Sequence, residues 1–186
     1  MNLTTRQQIN IGLILTLIMA LTRSHHWSTL HALPDASWAI FFLVGVYLRP
    51  LWIAPALIVA AMGIDYMAIT QFGVSDFCIS PAYWLLVPAY ASLFVAGRVY
   101  AAHHRVGFSA LLWLIGTALV GAVMAELLSS GGFYFFSGRF VEPTLAEFVP
   151  RFFKYFPSML TSFAFYLSVA AVVHILVKPE QENHAA

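Results

Sequence analysis

Long apolar runs separated by short polar breaks organise this chain. The runs cover about Gln8–Leu21, Pro34–Leu48, Leu51–Thr70, Pro81–Ala101, Phe108–Ser129 and Phe156–Val177. A bilayer span needs roughly 20 predominantly apolar residues. The pattern therefore predicts an all-α fold, a single transmembrane domain over 1–186 with six transmembrane helices. The first two runs are short on that measure and would draw on the segment Thr22–Leu33. Arg49-Pro50 breaks the second run from the third, because proline disfavours helical backbone at the residue before it. Gly107 and the pair Gly131-Gly132 mark further turns.

The fifth connection, Gly131 to Tyr155, is the longest and has a pattern of its own. Thr144-Leu145-Ala146-Glu147 reads as a capping box, in which the threonine hydroxyl and the glutamate carboxylate serve free backbone N–H groups. Leu145, Phe148, Val149, Phe152, Phe153 and Phe156 follow at helical spacing, with Glu147, Arg151 and Lys154 between them. This predicts an amphipathic helix in the fifth connection, lying on the membrane surface or capping a cavity, with Pro150 as a kink.

Composition agrees with a membrane protein. The chain is 61% hydrophobic and only 9% charged, where soluble domains carry about 25% charged residues. Mean hydropathy is +0.81. The lipid bilayer is thus its main surroundings. A net charge of +1 gives no footprint for nucleic acid or for an acidic partner. No G-x-x-x-x-G-K-[ST] loop occurs, which excludes nucleotide binding of that kind. The first apolar run lacks a small-residue cleavage site after it and reads as a retained span. With the N-terminus inside, Arg6, Arg49, Arg98, Arg105 and Lys178 lie inside, while Arg23, Arg139, Arg151 and Lys154 lie outside. Three of those outer four belong to the fifth connection. The remaining cations favour a cytoplasmic N-terminus in the cell inner membrane.

The candidate chemistry gathers on one membrane face. Asp65 lies near the end of span three, Glu126 near the end of span five, and Tyr83 opens span four. His25, His26 and His31 lie in the first connection; Asp76 and Cys78 lie in the third. Ionisable residues within spans are costly and usually face a cavity or a partner. Asp65 equally suits a hydrogen bond to a neighbouring helix, and Glu126 reads as solvated at the interface. Tyr83, Trp84 and Trp27 suit an interfacial aromatic belt. Arg151 suits a lipid-headgroup contact, and Phe133-Tyr134-Phe135-Phe136 suits a lipid anchor as well as a ligand wall.

Cys78 is the sole cysteine. It has no disulfide partner within the chain and no cysteine pairs to form a structural zinc site. It is either a small buried hydrophobe or a thiolate serving as nucleophile or soft metal donor. Together these residues describe a cavity with aromatic walls, few charges, several hydrogen-bonding groups and one soft thiolate. A large, flat, metal-bearing ligand fringed with hydrogen-bonding groups would suit it, and corrinoids meet that description. The alternatives are an intramembrane thiol enzyme, with Cys78 catalytic, His26 as base and Asp65 as orienter, or a membrane assembly subunit.

The segment Asp76-Phe77-Cys78-Ile79-Ser80-Pro81-Ala82-Tyr83-Trp84, within a chain of this size and span number, resembles the BtuM-type cobalamin transporters of Gram-negative bacteria. These are solitary relatives of the substrate-binding components of energy-coupling-factor vitamin transporters. The resemblance implies uptake of vitamin B12, with Cys78 as the axial cobalt ligand and the dimethylbenzimidazole base displaced. It also implies that His26, Asp65, Tyr83 and Arg151 surround the ligand. Family members that dock on a shared coupling module usually show small residues, often alanines, four apart on the first span. Here those positions are Gly12, Thr16 and Ala20, which departs from that pattern and favours solitary operation. A monomer is the working expectation. Thiolate donation to cobalt would weaken the opposite axial bond, so decyanation of cyanocobalamin is an expected side activity.

Overall fold

The computed structural model describes residues 3–23, 33–103 and 107–183. Among these the regular elements are all helical, with no strand. The elements are α1 (Thr5–Arg23), α2 (Ser37–Tyr47), α3 (Ile53–Phe72), α4 (Leu86–His103), α5 (Phe108–Glu126), α6 (Gly132–Phe136) and α7 (Leu145–Asn183). Two short 3-10 turns, Asp76–Cys78 and Pro81–Leu85, join α3 to α4, and a π-helical turn, Leu127–Gly131, joins α5 to α6.

Helix α2 is the centre of the molecule. All but its last two residues are buried, and it packs on α4 most extensively, then on α1, α7 and α3. The approach to α4 is backbone to backbone. A side chain at Gly45 would put its Cβ onto the Phe94 carbonyl oxygen, and one at Gly97 onto that of Phe42. Small residues at a helix crossing permit this closeness, and dispersion contacts along the seam then hold it. Above the seam, the Phe41 and Tyr90 rings stack with centroids 4.2 Å apart. Phe163 of α7 meets Phe42 edge-on at 5.7 Å.

Among the described residues, four helical stretches are long and apolar enough to cross a membrane: Ile53–Phe72, Pro81–His103, Phe108–Phe136 and Leu145–Leu176. Four of the six expected spans meet this measure; α1 and α2 do not meet it among the described residues. The eleven residues of α2 rise only about 16 Å, half the thickness of a hydrocarbon core. Its apolar run is long because it is buried on every side, not because it faces lipid. The nineteen residues of α1 begin with the polar stretch Thr5-Arg6-Gln7-Gln8, capped by Thr4 and Gln7 in a reciprocal pair: Thr4 N–H donates to Gln7 Oε1 at 2.8 Å and Gln7 N–H to Thr4 Oγ1 at 3.3 Å.

Two other boundaries differ from expectation. The glycine pair at 131–132 does not turn the chain; α5 runs through the π-helical turn into α6. These glycines instead admit neighbours: a Cβ at Gly131 would crowd Phe148, and one at Gly132 would collide with Leu85. The expected amphipathic helix is likewise not a separate element. It is the first part of α7, which continues through Pro150 and Pro157 into the last span. The reason is an unbroken aromatic stripe at i, i+4 spacing, with Phe148–Phe152 centroids at 6.3 Å and Phe152–Phe156 at 4.8 Å. Each proline removes one backbone hydrogen bond; the stripe carries the helix past both.

Candidate functional site

The last residue of α1, the start of α2, the end of α3, the start of α4, the end of α5 and the start of α7 meet at one end of the bundle. Between them lies a cavity of about 650 Å³, open on one side. Its floor is a polar knot built on Arg23. The guanidinium donates from Nε to Asp65 Oδ1 and from Nη2 to Asp65 Oδ2, both at 2.7 Å. Nη1 donates to Ser37 Oγ at 3.0 Å and to the Tyr90 hydroxyl at 2.6 Å. Tyr83 donates its hydroxyl to Asp65 Oδ2 at 2.6 Å. Ser37 in turn donates from N and Oγ to Asp35 Oδ1, at 2.8 and 2.6 Å. One cation thus ties four helices and the second 3-10 turn together. The two-point geometry and the charge make these the strong class of hydrogen bond.

The opposite wall is aromatic. Phe133, Tyr134, Phe140, Phe148 and Phe152 line it. Arg151 lies over the rings of Tyr134 and Phe140, at 5.3 and 4.8 Å from their centroids, a cation–π arrangement. The wall is braced by Tyr134, whose hydroxyl donates to Glu147 Oε2 at 3.0 Å and accepts from the Thr144 N–H at 3.3 Å. This corrects the expected capping box. Thr144 Oγ1 does accept from the Glu147 N–H at 3.3 Å, but Glu147 reaches Tyr134 and the tyrosine serves the free N–H in its place.

The third wall is the connection between α3 and α4. Gly73 ends α3 with a positive φ of 67°. The first 3-10 turn follows, capped by Ser75 Oγ, which accepts from the Phe77 N–H at 3.2 Å. Phe77 and Ile79 both line the cavity. Phe77 also meets the far wall: Phe133 lies 5.6 Å away, and Arg139 lies 5.0 Å over its ring. Cys78 is the residue between these two lining positions, and its side chain lies outside the described part of the structure.

The predicted residues are therefore brought together in large measure. Asp65, Tyr83 and Arg151 line one cavity, and the turn bearing Cys78 forms part of its wall. His26 lies outside the described residues, as do His25, His31 and Trp27. Asp65 is also the structural hydrogen-bonding group that the sequence left open, and Trp84 is largely exposed, as a belt residue would be. No group of three or more His, Cys, Asp or Glu that could hold a metal ion occurs among the described residues.

Sequence reasoning missed Arg23, Ser37, Asp35 and Tyr90. Arg23 was counted only as an outer-side cation, yet it was the oppositely charged residue on the same face as Asp65, and an acid within a span calls for such a partner. Glu126 is corrected more sharply. It is not solvated at an interface but 1% exposed. It lines the cavity, and neither of its oxygens meets hydrogen-bond geometry, although Ser130 lies beside it.

No family model matches this chain, and no curated protein matches it.

Proposed function

We propose that this protein takes up a corrinoid of the vitamin B12 class across the cytoplasmic membrane, with the Cys78 thiolate as axial ligand to the cobalt of the transported molecule. The observation that carries this reading is the position of the Cys78 turn. The residues on either side of Cys78 line a cavity whose other surfaces are an aromatic wall and a hydrogen-bonded polar floor. A flat macrocycle with an apolar face and a polar fringe needs both kinds of surface. A cavity of about 650 Å³ falls within the range of small-molecule sites. Its open side lets the nucleotide tail of a larger corrinoid remain outside.

In this reading each residue has a distinct task. Cys78 supplies the bond to cobalt, releasing its proton as it binds. Tyr83, whose proton is given to Asp65, offers its hydroxyl oxygen as an acceptor, and Arg151 offers hydrogen-bond donors to the ligand's fringe. Asp65 acts mainly by holding Tyr83 and Arg23, since both its oxygens already accept hydrogen bonds from them. His26 stands as a further fringe contact. The thiol-enzyme alternative is less well supported, because an Asp65 so fully engaged is a poor orienter for a histidine base. The charge distribution outside the fifth connection supports a cytoplasmic N-terminus and a cavity on the outer face. The protein works as a monomer, and Gly12, Thr16 and Ala20 on α1 argue against docking on a coupling module.

The test is the absorption spectrum of the purified protein after incubation with cobalamin and removal of excess ligand. A retained corrin spectrum, shifted from that of the free vitamin and lost in Cys78→Ala while that variant still elutes as a folded species, is the expected result. A colourless wild type overturns the reading. Retention that is equal in wild type and Cys78→Ala removes the cobalt–thiolate bond from it.

A further inference from the structure

Glu126 takes no part in the Arg23–Asp65–Tyr83 floor or in the aromatic wall of the cavity. It closes α5 at the cavity wall and is 1% exposed, yet among the described residues neither carboxyl oxygen meets hydrogen-bond geometry, with the Ser130 hydroxyl as its nearby polar group. The two described cations that line the cavity with it, Arg23 and Arg151, are engaged elsewhere. Arg23 spends all three of its nitrogens on Asp65, Ser37 and Tyr90. Arg151 lies over Tyr134 and Phe140 and forms no ion pair with Glu126. A buried polar side chain without a partner costs free energy, and an ionisable group kept at such a cost inside a membrane span marks a functional position.

The local backbone points the same way. The π-helical turn Leu127–Gly131 begins directly after Glu126, and its Ser129 and Ser130 line the same cavity. Such turns appear mostly inside longer α-helices and frequently at functional sites. Here the turn adjoins a polar strip, Glu126 with Ser129 and Ser130, on a wall contributed by α5, apart from the Arg23–Asp65–Tyr83 floor.

We infer that Glu126 is a ligand-contacting residue whose carboxyl group hydrogen-bonds a primary carboxamide of the bound molecule, with Ser129 and Ser130 extending the same polar strip. The inference rests on the corrinoid reading, since the corrin rim carries such amides. It adds a specificity-determining contact that the thiolate bond does not supply: cobalt ligation fixes the metal, whereas this strip reads the rim.

The test compares two probes, dicyanocobinamide, which carries the rim amides, and dicyanocobyrinic acid heptamethyl ester, in which esters replace them. Affinities are measured by quenching of intrinsic tryptophan fluorescence, Trp38 being a lining residue. Glu126→Leu should bind the amide-bearing probe about tenfold more weakly, the scale of one lost hydrogen bond of the stronger kind. Glu126→Gln, which keeps an acceptor and gains a donor, should stay within about threefold of wild type. The ester should bind all three proteins alike. Where the leucine variant does not fold, Glu126→Met keeps the volume and takes its place. Without ligand, Glu126→Gln should melt no lower than wild type, because the amide oxygen keeps an acceptor beside Ser130 and no ion pair among the described residues is lost. Undiminished binding of the amide probe by the apolar variant overturns the inference alone, as does an equal loss for both probes or a drop of several degrees in the ligand-free melting of Glu126→Gln. Wild type that binds neither probe overturns the corrinoid reading and this inference with it.

Discussion

Arg23 and Asp65, 42 positions apart, meet in a two-point pair with both contacts at 2.7 Å. The side chain of Arg23 is 7% exposed and that of Asp65 is 23% exposed. Two charges withdrawn this far from water hold each other in place, and the pair welds the end of α1 to α3 at the floor of the cavity. Removing one partner strands the other.

Arg23→Gln should therefore destabilise the protein by about 3 kcal/mol, the lower end of what breaking a buried pair costs, because Asp65 keeps some solvent. Asp65→Asn should be comparably harmful, since it leaves the more deeply buried cation without its counter-charge. Neither should weaken ligand binding as much as Cys78→Ala is expected to. The double variant Arg23→Leu/Asp65→Leu should be more stable than the sum of the single losses, because no stranded charge remains. Thermal melts in detergent measure all of these. Strict additivity would show that the two side chains do not act as a pair.

The helical class and the shared polar face were legible in the sequence because both follow from local signals. Apolar runs announce helices, and charges near span ends on alternate connections must fall on one side. Asp65, Tyr83 and the Cys78 turn were found in this way. What was not legible depends on tertiary neighbours. Nothing local distinguishes α2, an apolar helix enclosed by protein, from one that faces lipid. Gly131 and Gly132 look like a turn until Phe148 and Leu85 are seen to need their missing side chains. Arg23 resembles any interfacial cation until Asp65 stands opposite it. Glu126 resembles a surface acid because its burial comes from elements that precede and follow it by many residues.

The contact between Gly45 and Gly97 makes α4 intolerant of the smallest enlargement. The Cβ of Gly97→Ala would fall onto the Phe42 carbonyl oxygen, which is backbone and cannot rotate away. The helices would have to separate along their whole seam. A loss of at least about 3 kcal/mol is expected, at or above the upper range for overpacked cores. Gly116→Ala, where a Cβ meets open space, should be neutral or slightly stabilising through helix propensity. Monodispersity on size exclusion and melting temperature compare the two. Equal behaviour would mean that α2 and α4 do not touch as described.

The face carrying the cavity should be the outer one. Cys78 should then react with a membrane-impermeant maleimide in intact spheroplasts when no ligand is present, and should be protected by excess cobalamin. As the sole cysteine it needs no engineered background. Reaction only after the membrane is disrupted would invert the topology. Reaction from outside without protection by cobalamin would separate the thiol from the ligand site while leaving the orientation intact.

Cobalt ligation by Cys78 also predicts chemistry on cyanocobalamin. A thiolate is a strong donor, and donation into one axial position weakens the bond at the opposite one. Cyanide then departs with its electron pair and is protonated to hydrogen cyanide; cobalt keeps its oxidation state, and no reductant is needed for the balance. The step requires the thiolate, which cobalt binding itself favours over the thiol by releasing the proton. It asks nothing of an acid–base pair, so Asp65→Asn should leave the reaction in place in whatever fraction of protein remains folded. Cys78→Ser replaces the soft donor by a hydroxyl that stays protonated and should stop it. The measurement is the visible spectrum of cyanocobalamin over time with each protein, together with trapping of released cyanide. Release at the same rate with wild type and Cys78→Ser would exclude the thiolate as its cause. A cyano spectrum that persists in ligand-loaded wild type would confine Cys78 to binding.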